Sequence, residues 1–339
     1  MHRIDGDISQ RIALLRYLMI FGIIVLHTPP YIPLAETGSG LFEFIKAIFQ
    51  HAIFRASVPV LTFISGYLLF RAQLDLQFNK LLVKKTKTIL IPLILFNVPI
   101  VLAVYLVQAN QLIDHEFSKQ LYPLNLTIWV NSIIGLFDAP INYPLNFLRD
   151  LYLLSLIAPL LGLFLRRYAW YGLILIFLLF WFNLDGSIIL RNTMPIVFYM
   201  GGMAAVKEWD LRKLDRFAIP CLVLFLVFCI VVIEFQIENR NYLRLVSPIL
   251  IWPAASLLVN AWLGNWLVRL SKYSFLTFLA HGPLLLVAML IYQKLLPAGT
   301  PYWLFWVMAP VLTAALLAQI YIFASRFFPK TMSVLLGGR

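Results

Sequence analysis

At 339 residues, with 62% hydrophobic, 12% charged and a mean hydropathy of +0.87, the chain is excluded from the water-soluble globular proteins. Its repeated apolar runs approach the roughly 20 residues that a bilayer demands. The net charge of +12 does not point to nucleic acid, because the basic residues recur in short connections between apolar runs, the pattern that orients membrane helices. The expected fold is an all-α integral membrane protein, a single polytopic domain over 1–339 embedded in the lipid bilayer.

In chain order the apolar runs predict ten transmembrane helices, near 12–29, 51–71, 87–108, 145–165, 168–184, 189–206, 217–236, 246–265, 273–293 and 302–325. With both termini cytoplasmic, eighteen Lys and Arg fall in inside segments and six in outside ones, leaving Arg16, Arg55 and Arg149 at membrane depth. An odd number of spans would spoil that asymmetry. The first run has membrane length and no small-residue cleavage site after it, so it reads as a span and not a cleavable signal. The longest outer connection, 108–144, contains LNLTIWVNSIIGLF, which is too short to span and is expected to lie in the interface or dip and return. Cys221 and Cys229 lie eight residues apart on one run, about 12 Å along a helix, and cannot pair with each other.

The first span carries Arg16 and His27, eleven residues apart. At about 100° and 1.5 Å per residue they fall roughly 20° apart in azimuth and about 16 Å apart in depth. A charge inside lipid is disfavoured by roughly 2.5–3.5 kcal/mol on insertion scales, so aligned polar groups of this kind usually face a polar interior. Snorkelling of either residue to its nearer interface is the alternative. Both side chains are expected to share one polar hollow.

On the second span, Arg55, Pro59, Thr62 and Gly66 form a stripe that either lines a cavity or packs a neighbouring helix. Arg149 and Asp150 enter the fourth span just below the outer surface, where Asp150 could accept from an imidazole while Arg149 faces an anion. Arg191 opens the sixth span at the same level. His281 shares a face with Ser274 and Thr277 on the ninth span, either as a structural hydrogen-bonding group or as a cavity wall. His51, His115, Glu234 and the lysines of 80–87 read as interface anchors or topology determinants. No HExxH, CxxC, glycine-rich phosphate loop or G-x-S-x-G elbow occurs, so no metal site is expected and any chemistry rests on intramembrane His, Arg and Asp.

Four segments carry a resemblance. Arg16-x10-His27, RASVPVLTFISGYLLF from Arg55 to Phe70, NFLRDLYLLSLIAPL, and the stretch from Ser274 to Pro283 resemble, in order and spacing, the motifs of bacterial acyltransferase family 3. Members O-acylate polysaccharides and related glycans. The chain departs from the family pattern at Ala13, Tyr17 and Asn146, and the resemblance implies a member without the extra C-terminal hydrolase-like domain of some relatives. The resemblance implies a multi-pass enzyme of the bacterial cytoplasmic (inner) membrane. It would move an acyl group, usually acetyl, from cytoplasmic acetyl-CoA to a hydroxyl of an extracytoplasmic polysaccharide or lipid-linked glycan. Acetyl-CoA would be a cosubstrate, with no resident cofactor. In that scheme His27 is the general base, Asp150 sets its tautomer, and Arg16, Ser65 and Tyr67 bind the donor. Arg55, Arg149, Arg191 and His281 serve the acceptor or the oxyanion. The competing class is a transporter or flippase for a polar glycan intermediate, against which stands the lack of a visible internal repeat.

Overall fold

The computed structural model describes residues 5–112, 118–184, 186, 188–295 and 299–338. His115, read above as an interface anchor or topology determinant, lies outside them. The described residues are helical and contain no strand. Among the described residues, six helical stretches are long and apolar enough to cross a membrane: α1 (Gly6–Leu26), α2 (Leu41–Arg71), α3 (Phe78–Ala109), Asp215–Glu234, Trp262–Lys294 and Tyr302–Phe327.

The ten expected spans thus divide into four kinds. Six are these long helices. The fourth is bent by 58° at Ile157, between Tyr143–Leu156 and Ala158–Arg167, where Pro159, in the first turn of the second helix, has no backbone N–H to donate across the bend. The fifth and sixth are the short helices Ala169–Trp181 and Thr193–Val206, only about 20 Å long at the helical rise. The eighth is broken. The helix Asn241–Ala254 ends after Pro253, a 3-10 turn follows over Ala255–Leu258, and a new helix starts at Trp262. After α3, the remaining helices are α4 (Leu126–Ile134), α5 (Asn146–Leu156), α6 (Ala158–Arg167), α7 (Ala169–Trp181), α8 (Thr193–Val206), α9 (Ala218–Glu234), α10 (Asn241–Ala254), α11 (Trp262–Lys294), α12 (Tyr302–Phe327) and α13 (Pro329–Leu335).

Lipid tails are as apolar as leucine, so close approach and internal hydrogen bonds, not exclusion from water, hold such helices together. α2 and α8 pack by reciprocal glycines. A Cβ on Gly66 would stand 2.2 Å from the Phe198 carbonyl oxygen, and one on Gly201 would stand 2.2 Å from that of Phe63. The stripe on α2 is therefore divided in function: Gly66 serves packing, Thr62 is buried and returns its hydroxyl to Val58 O at 2.8 Å, and Arg55 and Pro59 line a cavity.

Polar clamps fix the helix ends. Buried Arg11 on α1 pairs with Asp215 at 2.7 Å and lies over the Trp252 ring at 5.3 Å. α4 begins at Asn125, whose side chain caps Thr127 and Ile128, and ends at Gly135 with φ 73°. This short helix occupies the expected interfacial segment. Cys221 and Cys229 are both free thiols.

Candidate functional site

His27 stands one residue past α1, and the bonds around it fix it in place. Gln50 Nε2 donates to the carbonyls of Val25 at 3.3 Å and Thr28 at 3.0 Å, satisfying acceptors that the helix end leaves open. The imidazole Nδ1 lies 2.9 Å from Ile23 O. A carbonyl only accepts, so Nδ1 carries the proton and Nε2 keeps its lone pair. His281 obeys the same logic: its Nδ1 faces Phe278 O at 2.8 Å and Thr277 O at 3.2 Å, leaving its Nε2 as an acceptor 3.4 Å from His27 Nδ1. The tautomer of His27 is thus held by Ile23 and His281.

Asp150 has other partners, which corrects the expected imidazole–carboxylate contact. It accepts from Arg149 Nη1 at 2.8 Å and from the backbone N–H groups of Leu190 and Arg191 at 3.2 and 3.1 Å. Arg149 is likewise committed, donating to Asp150 and to the carbonyls of Gly135, Leu136 and Ile188. Adjacent residues on α5 pair here because both side chains turn to the incoming segment 188–191, and Arg149 reaches on to the loop after α4. The result is a clamp joining α4, α5 and the segment before α8, and Arg149 stands outside the cavity lining described next.

Two cavities flank α1. One of about 570 Å³ is lined by His27, Tyr31, Arg55, Tyr143, Arg191 and Arg244 among others. A distorted turn shapes its α2 wall: a π-turn over Ile48–Ala52 is followed by a 3-10 turn over Ile53–Ala56, and Arg55 within it donates to Gln50 O at 3.1 Å and Tyr31 Oη at 2.6 Å. Tyr143 is carried in by Asn142, whose Nδ2 donates to Leu279 O at 3.1 Å and whose N–H is accepted by Asn97 Oδ1 at 3.0 Å. Its ring meets His27 edge-on at 6.2 Å.

The second cavity, about 490 Å³, is lined by Arg16, Ser65, Lys84, Lys85, Ser274 and the backbone of Gly337 and Gly338 among others. Among the described residues the Arg16 guanidinium has no hydrogen-bond or ion-pair partner.

Arg16 and His27 therefore line different cavities, and the single hollow expected from their alignment is two. The cavities come within one helical turn of each other on both α1 and α2: Ile20 and Leu61 line one, Ile23 and Val58 the other. Phe278 is part of the wall, lining the Arg16 cavity and lying 6.0 Å from the His281 ring.

Of the other expected site residues, Ser65 lies on the Arg16 cavity, Arg55 and Arg191 lie on the His27 cavity, and His281 is buried behind His27. Tyr67 is buried in the core and lies outside both linings, because its neighbour Gly66 turns that part of α2 toward α8. Arg244, Tyr31 and Tyr143 were not foreseen. A hint for Arg244 lay in NRNYLRL, where two arginines sit just ahead of an apolar run. No group of His, Cys, Asp or Glu among the described residues could hold a metal ion.

Residues 9–324 match the acyltransferase domain family. The succinoglycan biosynthesis protein ExoH of Rhizobium meliloti (strain 1021) is 32% identical, in an alignment covering 99% of this chain and 94% of that protein. No solved structure matches the chain.

Proposed function

We propose, from the premise that this chain belongs to the acyltransferase domain family, that it is a membrane O-acyltransferase of polysaccharide synthesis. It takes an acyl group, acetyl in the simplest case, from a CoA thioester at the Arg16 cavity. It delivers that group to a hydroxyl of a polysaccharide or lipid-linked glycan at the His27 cavity. The similarity to a succinoglycan biosynthesis protein supports a polysaccharide acceptor. In this reading the membrane is the bacterial inner membrane, and the orientation expected from the charge asymmetry turns the Arg16 cavity to the cytoplasm and the His27 cavity to the far side.

One observation carries the reading: a single helix presents a guanidinium to one cavity and an imidazole of fixed tautomer to the next, and the cavities approach within a turn. Arg16, with Lys84 and Ser65 beside it, offers donors to the phosphates and amides of the CoA arm. The roughly 16 Å from Arg16 to His27 along α1 matches the reach of a pantetheine chain. Nε2 of His27 takes the proton of the acceptor hydroxyl as its oxygen attacks the thioester carbonyl. The C–S bond then breaks, and the CoA thiolate leaves and is protonated. Arg55 or Arg191 stabilises the oxyanion in between. Asp150 acts at one remove, fixing the backbone of Arg191.

The test is to incubate membranes with acyl-labelled acetyl-CoA and follow label into extractable glycan. His27→Ala is expected to remain in the membrane at wild-type level and to lower transfer about 10²- to 10⁴-fold, the usual contribution of a positioned base. Undiminished transfer by that variant would remove His27 from the chemistry.

A further inference from the structure

The His27 cavity is strongly cationic. Arg55, Arg191 and Arg244 line it, and among the described residues its lining includes no aspartate or glutamate. The three come from separate elements, the distorted turn of α2, the segment before α8, and the first turn of α10. Converging them is therefore a property of the tertiary fold. Their protein partners are neutral. Arg55 donates to a carbonyl and to a tyrosine hydroxyl, and Arg244 Nη1 donates to Asn241 Oδ1 at 3.1 Å. Arg191 Nη1 is buried with no hydrogen-bond partner. Asp150, which holds the Arg191 backbone, is already occupied by Arg149.

One guanidinium suffices for an oxyanion, and a neutral sugar hydroxyl needs none. Three in a partly desolvated cavity repel one another, and a ligand of zero charge offers nothing to offset that. The planar fork of arginine matches a carboxylate in two parallel hydrogen bonds. We propose that the His27 cavity is a carboxylate-binding site, in which Arg191 and Arg244, with Arg55 beside them, hold an acid group carried by the substrate next to the reacting hydroxyl. That group has two possible sources: the distal carboxylate of a dicarboxylic acyl chain, or the carboxylate of an acidic sugar in the acceptor. This proposal rests on the acyl-transfer reading above and names the substrate class of the same site.

Two arms separate the sources. The purified full chain in nanodiscs is given succinyl-CoA or the uncharged, similarly sized butyryl-CoA with one acceptor, and then an aryl glucuronide or the matching aryl glucoside with one donor. The wild type is expected to favour the charged member of one pair by about tenfold or more in kcat/KM. The first pair identifies an acyl carboxylate, the second an acceptor carboxylate. Arg244→Gln should collapse that ratio towards one and Arg244→Lys should keep part of it. A mere loss of folding lowers both rates together and leaves the ratio unmoved. Transfer that proceeds without a charge preference in either pair overturns the carboxylate site and leaves acyl transfer standing. If no donor is turned over, acyl transfer fails and the site is judged by ligand-observed NMR with succinate and glucuronate. Binding that Arg244→Gln abolishes upholds it, and binding that is absent or unchanged in the variant overturns it.

Discussion

His27 shows how much of a residue's chemistry is set by what stands behind it. Its Nδ1–H lies between Ile23 O and His281 Nε2, so the nitrogen we propose as the base is set before any substrate arrives. In that proposal His281, buried and outside the cavity lining, is a positioning residue. His281→Gln, which can keep an acceptor facing His27, is expected to retain at least about tenfold more kcat than His281→Leu, with the donor KM unchanged in both. Equal kcat in the two variants would show that the acceptor at this position is not what matters. The spacing of Arg16 and His27 showed that they share one side of α1 and its end at different depths, but not that they line two separate cavities. Arg244 was not, since it reaches the site through the broken eighth run, and neither was the occupation of Asp150 by N–H groups forty residues downstream. Spacing says nothing about such partners.

At the scale of elements, the tight seam between α2 and α8 holds the site's walls. α2 supplies Arg55 and Pro59 to one cavity and Ser65 to the other, and the segment leading into α8 supplies Arg191. The seam is set by backbone contact at Gly66 and Gly201, where the obstructing atoms are main-chain carbonyls that cannot swing aside. Gly201→Ala is expected to destabilise the fold by about 1–3 kcal/mol, the usual cost of overpacking, seen as a lower unfolding temperature in detergent. An unchanged temperature would mean that the helices separate freely there. Hydropathy identified the apolar runs, but it could not tell a straight span from the bend at Ile157 or the break between Ala254 and Trp262. Both failures occur where proline removes a backbone donor. The same blindness hid the π-turn that positions Arg55.

Across the whole molecule, the two cavities stack along α1 with a thin wall between them, and the donor and acceptor would meet only where that wall is crossed. Each cavity is cationic but differently built. The Arg16 cavity draws on Lys84 and Lys85 and on the Gly337–Gly338 backbone, whereas the His27 cavity draws on arginines and tyrosines. In the proposed function the donor and the acceptor take these two cavities, on opposite faces of one membrane domain. The most direct measurement places the purified protein in sealed proteoliposomes of uniform orientation, with labelled acyl-CoA on one side of the membrane and glycan acceptor on the other. The account predicts acylated glycan when the donor is on the Arg16 side and the acceptor on the His27 side, and none with the positions exchanged. Transfer that requires both substrates on the same side would contradict it.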